Sequence, residues 1–351
     1  VGTVFSEPER LSGLVSEYFP VTGAVDDGGQ VALLVITPPD SRRRFLALRR
    51  RLEPLGLLPM LRERDGRTLM ILLPRPPRTA WRWAPNAALF AATVLTTFLA
   101  GYVAAEPLAR AGYLPSAAAG GAGFAAALMA ILVTHEMGHK VVSVLWGVDS
   151  SLPYFIPMAP PLGTMGAVIV TRTPAPNRDA LIDVGAAGPI AGFVVAVPVL
   201  IIGITHSFVI GPTEFRGISL PEPLLLQWLI RWLLDPPPDA VVLGHPVLFA
   251  GWIGLLVTSL NLLPASMLDG GHAVRALLGG RAHRALSWAA VGVAAVLGYW
   301  PMAVLILLLI PRGHPGPLDD VSPASPSRRV VGLVLLAIFV LSVVPGGWWW
   351  R

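Results

Sequence analysis

Thr134-His135-Glu136-Met137-Gly138-His139-Lys140 closes an apolar run that begins at Ala117 and reaches Val133 without a charge. Each residue turns a helix by about 100°, so histidines four apart lie on one face, a turn apart, and both imidazoles can reach one metal ion. Glu136 follows the first histidine and is placed beside the metal's open coordination position, where a carboxylate takes a proton from bound water. In outline this is a hydrolytic zinc site at the end of a membrane helix. The competing assignment makes the histidines ordinary helix-end residues at a membrane surface, but ionisable groups within apolar spans default to function.

The whole composition belongs with that stretch. The chain is 54% hydrophobic and 13% charged, against about 25% charged in soluble domains, which marks a membrane protein. It has no cysteine, which excludes disulfides and thiolate ligands and leaves a metal to histidine and carboxylate. The formal charge is +5 and Lys140 is the lone lysine. The arginines cluster beside apolar spans, as positive-inside topology requires, so no nucleic acid is expected. Val1 stands where a methionine would begin a chain, and no cleavable signal peptide is visible.

Residues 1–78 read as a small soluble α+β domain. A helical pattern near Glu7 to Tyr18 precedes Val21 to Val25 and Val31 to Thr37, which flank the turn Asp26-Asp27-Gly28-Gly29. Ser41 then opens a helix carrying Arg42, Arg43, Arg44, Arg49, Arg50 and Arg51, and Leu57 to Arg64 with Thr68 to Leu73 form a hairpin about Asp65-Gly66. The order α-β-β-α-β-β follows. The arginines are read as a solvated helix face, with anionic lipid or nucleic acid as alternatives.

Residues 79–347 read as the integral membrane domain, with about six transmembrane helices and a core over 84–280. Arg75-Pro76-Pro77-Arg78 is a stiff basic hinge, and Trp81, Arg82 and Trp83 anchor the first span, about Ala84 to Ala105. Arginine here puts the N-terminal domain in the cytosol. The second span, Ala117 to Trp146, returns inward through Gly120-Gly121-Ala122-Gly123, so His135 and His139 sit towards its cytosolic end.

Leu152 to Thr173 is apolar but broken by Pro153 and Pro157, and is read as a re-entrant or interfacial hairpin containing Gly163 and Gly166. Beyond Asp183, the small residues Gly185 to Gly192 open a third span running to about Ile210 and are read as helix contacts. Leu224 to Leu234, with Trp228 and Trp232, reads as a surface amphipathic helix; His206 and His245 read as structural. The fourth span is Pro246 to Leu263. Residues 285–311 are taken as a single fifth span and 330–347 as a sixth, with Trp348-Trp349-Trp350 as an interface anchor. A single fifth span leaves Arg312, Arg328 and Arg329 outside, against the charge rule, while a split hairpin would return them.

Asp269 supplies the second half of the site. It ends an uncharged stretch that begins after Asp239, follows a helix break at Pro264, and lies level with the histidines after two inward-running spans. Arg275, Arg281 and Arg284 support that orientation. The rival role for Asp269 is as a helix cap. His272, three residues on, is a candidate outer partner. Two histidines and a carboxylate leave a fourth position open for water, the catalytic rather than the structural pattern, and amide hydrolysis is the natural candidate.

His135-Glu136-Met137-Gly138-His139 on a hydrophobic helix, together with Asn261 to Gly271 at a later helix end, resembles the site-2 protease family of intramembrane zinc metalloproteases. The similarity covers roughly 84–280, including Gly163 to Gly166 and Gly185 to Gly192. The resemblance implies Zn2+ held by His135, His139 and Asp269, with Glu136 as catalytic base. Asn261 would bind substrate or stabilise the oxyanion, with Gly163 and Gly166 in the substrate-facing hairpin. It implies transmembrane protein substrates in a lipid bilayer; the arginine pattern, read separately, gives a multi-pass protein of the cell membrane with its active-site side cytosolic. No PDZ-like insert is apparent. A metal-ion transporter using the same His and Asp residues is the rival class, weakened by Glu136, for which transport has no use. A catalytically lapsed relative is the third. Oligomeric state has no local signature.

Overall fold

Why the described N-terminal residues form a layer of their own elements is visible in their spacing. In the computed structural model, which describes residues 8–26, 31–77, 82–211 and 220–344, they give α1 (Pro8–Ser16), β1 (Val21–Asp26), β2 (Val31–Val35), α2 (Ser41–Leu52), β3 (Leu57–Arg64) and β4 (Arg67–Pro74). The sheet order is β1-β2-β4-β3, with every neighbouring pair antiparallel. Phe45, Leu48 and Leu52 recur at helical spacing on α2 and bury against Phe19, Leu33, Leu58, Leu61 and Met70. Asp65 (φ 51°) and Gly66 (φ 71°) are both left-handed, as a two-residue type I′ turn between β3 and β4 requires. Glu7, Asp27, Gly28, Gly29, Arg78, Trp81 and Trp348 to Trp350, which carry expectations stated above, lie outside the described residues.

Three described helices are long and apolar enough to cross a membrane: α3 (Trp83–Arg110), α4 (Ala117–Leu145) and α5 (Arg178–Thr205). Between α4 and α5 lie β5 (Tyr154–Pro157) and β6 (Thr164–Val168), an antiparallel hairpin. After α5 come β7 (Phe208–Ile210), α6 (Leu224–Leu233), β8 (Val241–Leu243), α7 (Pro246–Asn261), α8 (Asp269–Val296), α9 (Trp300–Leu309) and α10 (Pro326–Ser342). The chain is a polytopic α-helical membrane protein with a small N-terminal α+β region. Its core joins Phe124, Leu128 and Leu132 of α4 to Val199 and Leu200 of α5 and Trp252 and Leu255 of α7. α3 stands outside, with Leu95, Leu99 and Val103 exposed.

Several spans differ from expectation. α5 starts at Arg178, well before Gly185, because Asn177 caps it through Oδ1 to the Ala180 amide (2.8 Å) and its acidic first turns are paired. Asp179 meets Arg42 at 2.8 Å, and Asp183 meets Arg328. α7 has 16 residues, about 24 Å of helix, short of a full span. α10 begins at Pro326, ahead of the expected residue 330.

Residues 285–311 are not one helix. Gly298 (φ 83°) turns the chain after α8, Pro301 follows at the start of α9, and α9 folds back so that Met302 and Ile306 pack against Val291 and Ala290. α8 itself kinks at Gly279, which has φ 83° and ψ −179°. The reversal brings residues 313–325 back to the N-terminal sheet. The Leu61 amide donates to the Leu318 carbonyl at 2.9 Å, and the Leu318 amide donates to Ala175 at 2.8 Å. Leu318 is 1% exposed and completes the core around Phe19 and Phe45. The Pro-, Ser- and Asp-rich loop between α9 and α10 is thus a strap between the α+β region and the start of α5.

Candidate active site

His135 and Glu136 are buried on α4, at 3% and 7% exposure. His139 donates Nδ1–H to the Val184 carbonyl of α5 at 2.7 Å. A neutral imidazole that donates from Nδ1 keeps its lone pair on Nε2, and the Nε2 atoms of His135 and His139 stand 3.2 Å apart. Asp269 closes the group, with Oδ2 at 3.3 Å from His135 Nε2 and Oδ1 at 3.3 Å from His139 Nε2. Two ligands of a tetrahedral ion with bonds of about 2.0–2.1 Å stand about 3.3–3.4 Å apart, so these separations suit zinc. The donor set, two imidazoles and a carboxylate, suits it as well.

The seat of the site is α5. A Cβ at Gly188 would fall on the His139 imidazole, and one at Gly192 would lie 3.1 Å from His135 Cβ. Gly185 and Gly138 are equally confined, by His272 Cβ and by the Ala187 carbonyl. Gly185, Gly188 and Gly192 lie on one face of α5, and their missing side chains are the space the histidines occupy. General helix contact, the role read from sequence, understates this.

Asp269 is the first residue of α8; the cap position is Leu268, with no side-chain capping bond. The segment before it, with Ser266 at φ 48°, is held from beyond the Gly279 kink. His283 Nε2 donates to the Ser266 carbonyl at 2.9 Å, and the Ser266 amide donates to Ser287 Oγ at 3.0 Å. Gly270 and Gly271 lie against the carbonyls of Leu262, Ala265 and Ser266, where a Cβ has no room.

The other sequence candidates stand outside the cluster. Asn261 ends α7, half-buried, and its side-chain amide makes no hydrogen bond among the described residues. Gly163 (φ 78°) seats the β5-β6 hairpin on α3: its carbonyl accepts from Thr96 Oγ1 at 2.7 Å, and a Cβ would stand 2.6 Å from Thr97 Cα. Gly166 (φ 92°) faces open space. The hairpin's base is tied to Asn86 Nδ2, which donates to Leu152 and Pro153, and to Lys140 Nζ, which donates to Ser150. It therefore hangs from the residue next to His139. His206 and His245 pair at the far end of the bundle, 5.8 Å between ring centroids, and His245 Nδ1 accepts the Val247 amide as a helix cap. Sequence reasoning missed the Val184 carbonyl, which has no side-chain signature, and His314 with Asp320, which sit in a Pro-rich loop without ligand spacing.

The profile of Peptidase family M50 matches residues 123–308. The probable zinc metalloprotease EGY1, chloroplastic, of Arabidopsis thaliana is 30% identical over 233 residues, 62% of this chain and 42% of that protein. The probable zinc metalloprotease EGY2, chloroplastic, of Oryza sativa subsp. indica is 27% identical over 231 residues, 62% and 41%. The DDT domain-containing protein PTM of Arabidopsis thaliana is 32% identical over 126 residues, 34% of this chain and 7% of that protein. The chain thus spans about two fifths of the length of the metalloprotease relatives it matches. No solved structure matches it. The match takes in α4 with His135 and His139 and runs past Asp269 into α9, more than half of the 351 residues, and on that ground the chain belongs to Peptidase family M50.

Proposed function

We propose that the protein is an intramembrane zinc metalloendopeptidase of the site-2 protease type, cutting peptide bonds in or near membrane-spanning segments of other proteins. The observation that carries it is the convergence of His135 Nε2, His139 Nε2 and the Asp269 carboxylate beside a buried Glu136. His135, His139 and Asp269 would hold zinc. When bound, zinc supplies Lewis acidity for the scissile carbonyl and brings a water's pKa to about 7.

Glu136 takes one proton from the attacking water at a carboxylate oxygen and passes it to the leaving amine nitrogen. A C–O bond forms as the amide C–N bond breaks. The His139 bond to Val184 keeps the Nε2 lone pair available throughout. Asn261, with its amide unengaged among the described residues, is proposed to meet the substrate backbone.

A membrane-spanning substrate hydrogen-bonds its own backbone and must unwind before attack. The outer edge of β6 is proposed to hold the unwound strand by backbone pairing; Met165 and Val168 are exposed there. Gly163 and Gly166 shape that hairpin.

The division into an α+β unit over 1–78 and a membrane unit over 79–347 is proposed with both the site and the α+β unit on the cytosolic side of the cell membrane. The arginines of α2, with Arg312, Arg328 and Arg329 flanking the strap, support it by the positive-inside rule. Arg49 donates to the carbonyls of Trp146 and Gly147 at the end of α4, and Arg42 pairs with Asp179, so part of that basic helix serves internal contacts rather than nucleic acid.

The test is cleavage of a labelled single-span substrate by purified protein in liposomes, comparing the parent with Glu136→Gln and measuring bound zinc in both. Zinc retained with cleavage lost supports the assignment. Zinc flux that Glu136→Gln leaves intact, without cleavage by the parent, replaces it with a transporter.

A further inference from the structure

Three histidines outside the metal cluster meet at the strap. His272 is on the first turn of α8, three residues after Asp269, with its Cβ against Gly185 of α5. Asp269 and His139 lie within electrostatic reach of its ring. His314, from the loop between α9 and α10, sets its Nε2 2.7 Å from His272 Nδ1, and its ring centroid lies 5.2 Å from that of His283.

The bonding order can be read from the backbone end. The Gly316 amide can only donate, and it does so to His314 Nδ1 at 2.9 Å. A neutral His314 therefore carries its proton on Nε2 and donates it to His272 Nδ1. That places the His272 proton on Nε2. Both ring nitrogens of His272 are then spent, one accepting and one protonated, and neither has a lone pair for a metal.

This matters because of where His272 sits. An imidazole one turn from a metal ligand is a ready fourth protein ligand, and a fourth ligand converts an open catalytic site into a closed structural one. We propose that His314 is a positioning residue for the metal centre: by fixing the tautomer of His272 it keeps that imidazole out of the coordination sphere and the fourth position open.

The strap is built to hold His314 there. Burial, with His272, His283 and Arg275 around it, pushes the His314 imidazole down to about 2, so it stays neutral. Asp320 accepts from both terminal nitrogens of Arg275, two turns along α8 from Asp269, and its carbonyl accepts from Arg178 at 2.8 Å. Gly316 packs on the Arg275 guanidinium, where a Cβ would stand 2.6 Å from Nη2. Arg62 Nη1 donates to the Pro317 and Leu318 carbonyls at 2.8 and 2.9 Å, anchoring the loop on the N-terminal sheet.

The proposal rests on the metalloprotease assignment for its kinetic consequence but not for its spectroscopic one. The full chain in detergent is loaded with Co2+ alone, and visible d–d absorption reports the ligand set while cleavage kinetics are followed with zinc. His314→Phe is expected to change the cobalt spectrum and lower kcat about 10-fold with KM unchanged, a size typical of groups that act through a neighbour. His272→Ala placed in that background should return the parent spectrum and most of kcat. His314→Ala carries the same expectation if the phenyl ring does not fit. A parent spectrum and parent kcat in both His314 variants overturn the proposal, as does a loss that His272→Ala does not reverse. If the parent itself cleaves nothing, the protease assignment fails while the cobalt spectra still decide the role of His314.

Discussion

His139 donates its Nδ1 proton to the Val184 carbonyl across 2.7 Å. The turn of α5 that receives α4 therefore also selects the His139 nitrogen that faces His135 and Asp269. A second-element contact of this kind sets ligand basicity and ring orientation together, and its loss typically costs 10–100-fold in metal affinity.

Gly188→Ala tests that seat directly. The added methyl would fall on the imidazole of His139 and push it from the Val184 carbonyl. Zinc affinity, read by competition with a chelating dye, should fall about 10- to 100-fold. Gly292→Ala on α8, where nothing stands within 4 Å, should leave metal binding unchanged and add about 0.5–1 kcal/mol of helix stability.

Gly163→Ala addresses the hairpin without touching the metal. Its methyl would meet the backbone of Thr96 and Thr97, and its left-handed φ disfavours any side chain. Bound zinc should match the parent while KM for a membrane-spanning substrate rises several-fold. An unchanged KM in folded protein would remove the hairpin from substrate binding.

Acid should loosen the strap. The docked His314 is held well below the usual imidazole value of 6.5 by burial, so between about 2 and 6.5 the released loop binds a proton that the docked loop does not. Docking is fully present above 6.5 and weakens as pH falls. Hydrogen exchange across 313–325 should accelerate at pH 5 relative to pH 7.5 more than in flanking helices, and His314→Gln should flatten that difference.

Leu318→Ala should uncouple the strap from the α+β region. The side chain is 1% exposed within the core around Phe19 and Phe45, and truncation of such a leucine costs about 2–5 kcal/mol. Limited proteolysis should cut 313–325 faster in the variant. Leu333→Ala on α10, 65% exposed, should leave the rate near that of the parent.

Much of the site was legible because its chemistry is local. His135, Glu136 and His139 are spaced by one helical turn, so the pattern survives in the chain itself, and Asp269 stands out against a long uncharged stretch. The β3-β4 hairpin was equally readable, since Asp65-Gly66 names its turn type. The break within 285–311 was not: both halves are apolar, and a glycine with a nearby proline permits a reversal without demanding one. Of the two start signals of α5, the Asn177 cap is a local bond to the Ala180 amide, while the pairing of Asp179 and Asp183 depends on Arg42 and Arg328, which are distant in sequence.

By itself the sequence determined the helix of the metal motif, the identity of the third candidate ligand, the membrane class and the α-β-β-α-β-β order of elements in the N-terminal layer, because each rests on periodicity, spacing or composition within a short window. Only the tertiary structure decided which nitrogen of His139 faces the cluster, which glycines of α5 make room for it, and that the loop over 313–325 returns to pair His314 with His272. Those depend on contacts between residues far apart in the chain, and a backbone carbonyl such as Val184 or a turn such as Gly298 acquires its role from what packs against it.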